Sequence, residues 1–235
     1  MSSKKMVYSQ RTDNSAEQFG SKLRIKLALM RDGRSNQFAS SSMSIENARA
    51  WFKDYLIKAH SIIRASVPLM EVARHRCTVL LADEKNPLLL TSLASYFERH
   101  IKEETGHDEW LIQDLEVIGV PRRECLERVP SQVVAELVGS QYYWINHWHP
   151  VSLLGYIAFL EGNPPSSEWI QLVRKITDYP EEAFRTIIKH SELDQQHRDD
   201  LNDLLDELPL TSEHQKWVTS NALYSAGKFH DIWNP

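Results

Sequence analysis

The spacing that most constrains this chain is that of His190, Asp194 and His197, which lie four and then three residues apart. On an α-helix such positions share one face over two turns, so the segment Pro180 to Leu208, read as helix, aligns three potential metal ligands. Glu192, Gln195, Gln196, Arg198 and Asp199 fall on the other faces and read as a solvated surface. Two histidines on a charged helix also arise by chance, so this face gains meaning only from partners elsewhere.

Such partners exist. In E-E-T-G-H-D-E-W, Glu104 and His107 form a Glu-x-x-His unit, the device with which helical di-iron carboxylate sites bridge or chelate adjacent ions. Most such pairs are surface neighbours, and His100 and Glu103 stand close enough to substitute in the assignment. Glu161 ends the apolar run V-S-L-L-G-Y-I-A-F-L, where an inward-facing carboxylate must be paired, protonated or metal-bound. The alternative is a helix-end glutamate reaching solvent beside Gly162. Glu71, in V-P-L-M-E-V-A-R-H-R, either joins the set or pairs with Arg74 or His75. Together Glu71, Glu104, His107, Glu161, His190, Asp194 and His197 make an inventory suited to two irons with positions left for O2. Zinc more often takes fewer ligands, and a structural zinc site uses cysteine.

The rest of the sequence supplies an all-α frame. Only 8 glycines occur in 235 residues, and no alternating short segments separated by glycine-rich turns support a sheet. Residues 1–42 form a polar, serine-rich arm, partly ordered, in which Lys22 to Met30 suits a short helix. Residues 43–235 form a single domain. Ser44 suits the cap of a helix whose Ala48, Trp51, Phe52, Tyr55, Leu56 and Ala59 follow three-and-four spacing. Further helices are predicted from Pro68 to about Leu81, and as one long rod from Pro87, capped by Asn86, to Gly119. A charged connector, Pro121 to Pro130, follows. Ser131 to Trp148 and Val151 to Glu161 are hinged at Pro150, and helices over Ser166 to Thr177, Pro180 to Leu208 and Ser212 to His230 complete the chain.

Composition narrows the function. Apolar residues at 42% and charged residues at 25% are those of a soluble globular protein. A net charge of −5 without a Lys/Arg-rich run leaves no footprint for nucleic acid. No secretory signal is expected at the start. The nearly uncharged stretch Gln141 to Leu160 contains Asn146, His147, His149 and Pro150, which predicts buried helices and no membrane span. Cys77 and Cys125 are too few for a disulfide framework, which suits a cytoplasmic location.

The ordered series Glu71, Glu104-x-x-His107, Glu161 and His190-x-x-x-Asp194-x-x-His197 resembles the haem-oxygenase-like di-iron oxidases, the iron-containing redox enzymes. Trp110, and Glu161-Gly162 followed by Trp169, add to the likeness, which covers about residues 45–210. The resemblance implies a haem-oxygenase-like bundle of about seven core helices, two Fe(II)/Fe(III) ions on those ligands, and O2 as co-substrate. Related enzymes decarboxylate fatty acids, hydroxylate nitrogens, cleave amino-acid side chains, or turn an amino acid into a nitrile. A ferritin-like bundle would be expected to carry two Glu-x-x-His units. Haem oxygenase itself needs a proximal histidine, for which His60 is a candidate, and the thiaminase-like relatives need a nucleophilic cysteine. A non-catalytic iron-binding or sensing module is a further alternative.

No nicotinamide or flavin fingerprint is present, and no haem is expected. Electrons must therefore come from the substrate, from a separate reductase or from a chemical reductant; the expected partner is a small-molecule substrate, with an external reductant and a homodimer left open. In the segment Val133 to Tyr156, Tyr142, Tyr143, Trp144, Trp148 and Tyr156 offer aromatic surface for a pocket, and Arg74, Arg64, Lys189 or His147 a carboxylate partner. The leading substrate expectation is a small, amine-bearing amino acid oxidised at or next to its nitrogen. The alternative is a medium-chain fatty acid that is oxidatively decarboxylated.

Overall fold

The computed structural model describes residues 18–32, 43–82, 87–162 and 164–233; the side chains of residues 31–32 and 192–196 are not among the described groups. No strand occurs among the described residues. In chain order the helices are α1 (Phe19–Asp32), α2 (Ile45–Ile63), α3 (Ser66–Leu81), α4 (Leu88–Glu104), α5 (His107–Val117) and α6 (Arg122–Glu127). They continue with α7 (Gln132–His147), α8 (Leu153–Glu161), α9 (Ser167–Thr177), α10 (Arg185–Glu207) and α11 (Ser212–Trp233). Single 3₁₀ turns, Pro150–Ser152 and Glu181–Phe184, lead into α8 and α10.

Serine capping sets several of these starts. The Ser44, Ser131 and Ser166 hydroxyls accept the backbone N–H groups of Asn47, Val134 and Trp169 at 3.3, 3.4 and 3.2 Å, satisfying donors that a helix N-terminus leaves without partners. Pro68 is the third residue of α3, within the turn where a missing N–H is harmless.

Three expectations change. The rod predicted from Pro87 to Gly119 is two helices, because Thr105 is extended (ψ 120°) and Gly106 is left-handed (φ 94°). Only glycine adopts that conformation without a steric penalty. The connector after Pro121 contains α6, which buries Cys125. The N-terminal helix is longer than expected and sends Leu23 and Leu27 into the core. Asn86 lies outside the described residues.

Packing forms two hydrophobic clusters. One gathers Leu69, Leu90, Leu93, Phe97, Leu137, Leu154, Tyr156 and Val218 from α3, α4, α7, α8 and α11. The other gathers Phe52, Leu56, Leu111, Leu115, Val173, Phe184 and Ile187 around α2, α5 and α9. α10 runs past both, with Ile187 in the second cluster and Leu201 and Leu205 in the first. α8 crosses α11 at backbone distance through Gly155, where a Cβ would collide with the Val218 carbonyl and lie 2.7 Å from the Ala222 nitrogen. Where the two clusters meet, the inner faces of α4, α5, α8 and α10 carry polar groups. No described helix is long and apolar enough to cross a membrane.

Candidate metal centre

Two groups of side chains that could hold a metal ion lie between these helices. His100, Glu161 and His197 form one, and Glu104, His107 and His190 the other; within each, the ligand atoms lie within 4.8 Å of one another. His100 and Glu104 are one turn apart on α4, and His190 and His197 two turns apart on α10. Glu161 is the last residue of α8, and His107 the first of α5. Glu104 connects the groups, with one oxygen 3.2 Å from His107 Nδ1 and the other 3.9 Å from His197 Nδ1.

Hydrogen bonds orient the histidines. His190 Nδ1 lies 2.9 Å from the Thr186 carbonyl, which can only accept, so Nδ1 carries the proton and Nε2 is left as a ligand atom. His100 Nδ1 likewise faces Glu103 Oε2 at 3.2 Å, while its Nε2 points at Glu161 Oε1, 2.5 Å away. Glu104, and not Glu103, therefore stands in a cluster.

Electrostatics follow from this crowding. Burial pulls the His100 imidazole down, but Glu161, with Glu104 and Glu103, outweighs it and pushes the group up to about 9. Burial raises the Glu104 carboxyl, yet His107, His100 and His190 outweigh that and hold it below the usual carboxylate range. His190 is lowered, chiefly by burial. A metal binding to His100 would displace its proton.

The residues fit iron. Buried His107 Nδ1, His197 Nδ1 and Glu161 Oε2 have no hydrogen-bond partner. Buried polar atoms without partners are costly, and three of them divided between the two groups call for an electrophile. Each group holds two histidines and one carboxylate, the donor set of non-haem iron sites with open positions. Neither cysteine contributes: both are buried, and burial pushes Cys77 up to about 12.

A cavity of about 820 Å³ opens on the centre, with His100, Glu104, Glu161 and His190 in its wall. Most of the remainder is apolar or aromatic, including Met70, Leu111, Tyr156 and Phe159, with Ser66, Ser166, Glu168, Thr186 and His230 as further polar members. At one part of the wall Trp51, Tyr55, Trp169 and Trp233 pack together, with ring centroids 6.0 Å apart for Trp51 and Trp169, 5.3 Å for Tyr55 and Trp169, and 4.7 Å for Tyr55 and Trp233. No lysine or arginine is among its described lining residues.

Several residues singled out in the sequence stand elsewhere. Glu71 is exposed and joins neither group, because α3 turns Leu69, Met70, Ala73 and Cys77 inward and leaves Glu71 on the outer side with Arg74 and His75. His100 takes the place given to it; the signal was its position one turn before Glu104. The side chain of Asp194 lies outside the described residues. Tyr142, Tyr143, Trp144 and Arg74 do not line the cavity: Tyr143 is 67% exposed, Arg74 is exposed, and Tyr142 packs against the first core cluster. His60 is buried but belongs to neither group.

Residues 76–226 match the family described as iron-containing redox enzymes. Among solved structures, the chain is similar to a domain of unknown function with a heme oxygenase-like fold from Shewanella denitrificans. The identity is 21% and the TM-score 0.73, over 91% of this chain and 90% of that one. It is also similar to a TenA homolog from Pseudomonas syringae pv. tomato, at 11% identity and TM-score 0.64, over 96% of this chain and 97% of that one. These likenesses establish a haem-oxygenase-like fold. No curated protein matches the chain.

Proposed function

The chain belongs to the iron-containing redox enzymes, and on that premise we propose that it is a non-haem di-iron oxidoreductase that uses O2 to oxidise a largely apolar small molecule. The observation that carries this reading is the pair of two-histidine, one-carboxylate groups linked by Glu104 and facing one cavity. Bound there, two irons would supply O2 activation. His100, Glu161 and His197 would hold one ion, and Glu104, His107 and His190 the other, with Glu104 placed to reach both.

The protein's own contribution is to position the substrate and exclude water. The aliphatic and aromatic wall holds an apolar body by burial and leaves polar contacts to the end where the carboxylates and histidines stand. With no lysine or arginine among the described lining residues, a substrate carboxylate would look to the centre itself, where His100 stands, for positive charge. An amine is better matched to an environment that contains Glu104, Glu161 and Glu168. This favours an amine-bearing carboxylic acid with a large hydrophobic side chain, oxidised at or beside its nitrogen, with C–C cleavage or nitrile formation as the product classes. Ligation by the amine would bring the reacting C–N bond close to the oxidising centre.

Size favours a second reading. A cavity of about 820 Å³ is near the top of the range for drug-sized ligands and is roomy for one small amino acid. Oxidative decarboxylation of a medium-chain fatty acid fits that length of apolar wall. A non-catalytic iron-binding or sensing module has no need for such a cavity.

Oxygen uptake by Fe(II)-loaded protein tests these readings together. Aromatic and halogenated aromatic amino acids should accelerate uptake, with nitrile or oxime products detected by mass spectrometry. Terminal alkene from decanoic to tetradecanoic acid, with no amino acid turned over, would establish the second reading. Uptake that stays stoichiometric with iron and is indifferent to every small molecule would leave the module.

A further inference from the structure

The two helices that supply His107 and His190 are joined by a buried contact that neither ligand makes. Asp114, with no solvent exposure, lies on α5 two turns beyond His107. Its Oδ2 accepts the backbone N–H of Thr186 at 2.8 Å in a buried hydrogen bond. Its Oδ1 lies 3.2 Å from Arg185 Nη2, which also donates to Gln113 Oε1 at 2.8 Å. Arg185 and Thr186 are the first two residues of α10, whose N-cap, Phe184, has no side chain able to satisfy the orphan donors of the first turn. Asp114 therefore caps α10 from the neighbouring helix, and its charge is favourable at that end of the helix dipole.

Thr186 is also the residue whose carbonyl holds His190 Nδ1 at 2.9 Å, one turn further on. One peptide group away from the clamp, then, is the group that fixes the tautomer and ring direction of a metal ligand. On the other helix Asp114 sits two turns from His107, and the His107 and His190 rings are 4.9 Å apart.

The geometry points to Asp114 as a positioning residue for the metal centre: it fixes the start of α10 against α5 and thereby the separation and orientation of His107 and His190. The inference rests on the di-iron reading of the site. It separates from a purely structural role because it concerns one group only. Among the described residues, the His100, Glu161 and His197 group has no hydrogen bond to the clamp, and its α10 member lies three turns from Thr186.

Anaerobic Fe(II) titration of the full chain, read as bound iron at equilibrium, tests it. His190→Ala identifies the binding step that belongs to the His107 group. Asp114→Ala should weaken that same step by about 10–100-fold, the usual effect of removing a residue that orients a metal ligand, and leave the other step within about twofold. Asp114→Asn keeps one acceptor for the Thr186 N–H and should show a smaller loss on the same step. If Asp114→Ala does not fold, Asp114→Asn decides alone: a loss confined to that step supports the assignment. Equal weakening of both steps, or no change in either, overturns it. Failure of the wild-type chain to bind two irons would instead defeat the di-iron reading itself.

Discussion

His107 Nδ1 lies 3.2 Å from Glu104 Oε2 across the break at Thr105 and Gly106, yet the nitrogen has no hydrogen-bond partner. The two atoms stand side by side in a group whose ligand atoms all lie within 4.8 Å of one another, close enough for one ion to meet both. A continuous helix would also bring positions three apart together, but here the left-handed Gly106 (φ 94°) sets the angle between α4 and α5. A Cβ at Gly106 meets nothing within 4 Å, so the constraint is conformational. Gly106→Ala should cost about 1–2 kcal/mol of stability for the left-handed backbone and should weaken iron binding more than a control of equal stability loss. Urea unfolding beside Fe(II) titration checks this, and iron affinity that merely follows stability would contradict it.

Gly155 determines how closely α8, which carries Glu161, approaches α11. Gly155→Ala should destabilise the protein by about 3 kcal/mol, at the upper end for overpacking, since the atoms in the way are backbone. Thermal unfolding measures this; a stability change below about 0.5 kcal/mol would mean that the two helices slide apart freely.

Trp169 lines the cavity and Tyr143 does not. For the substrate identified by oxygen uptake, Trp169→Ala should raise KM roughly tenfold with little change in kcat, since the ring contributes to binding before and during reaction. Tyr143→Ala should leave both parameters unchanged. Steady-state kinetics of the two variants reverses this assignment if the pattern is inverted.

His60, which belongs to neither group, provides a pH test. Burial, then Arg64, lowers its imidazole below 6.5, against a smaller opposing effect of Asp108 and Glu109. The unfolded chain takes up a proton in the window between the folded value and 6.5, so stability rises with pH there and falls as acid is added. The slope from one such group is at most about 1.4 kcal/mol per pH unit. Urea unfolding of metal-free protein between about pH 5.5 and about pH 7.5 should show a shallower slope in His60→Gln than in wild type. Identical slopes would count against the buried neutral imidazole.

Much of this was readable in the residues because helices report their inner faces through periodicity. The cap at Ser44, the helix starts at Ser131 and Ser166, the hinge at Pro150 and the break after Glu161 mark where helices start and stop. Histidines that converge, such as His190 and His197, keep helical spacing whatever surrounds them. Glu71 misled because a carboxylate in an apolar segment looks the same whether it faces the core or solvent; only the packing of Leu69, Met70, Ala73 and Cys77 decides. His100 was partly concealed by an adjacent run of charges, and Gly106 by the uninterrupted apolar pattern on either side of it. Of the cavity, Tyr156 was legible and most of the rest was not, since Trp51, Tyr55, Trp169 and Trp233 come from three helices far apart in sequence. The aromatic run at 142–144 is local in sequence and points largely elsewhere.

The most direct test of the di-iron centre is bound iron per chain after anaerobic Fe(II) titration of the wild type, His100→Ala, His107→Ala and Glu71→Ala. Wild type and Glu71→Ala should each bind about two irons at saturation, and His100→Ala and His107→Ala should each lose most of one, from different groups. Unchanged iron content in both histidine variants, or loss of an iron in Glu71→Ala alone, would contradict the centre described.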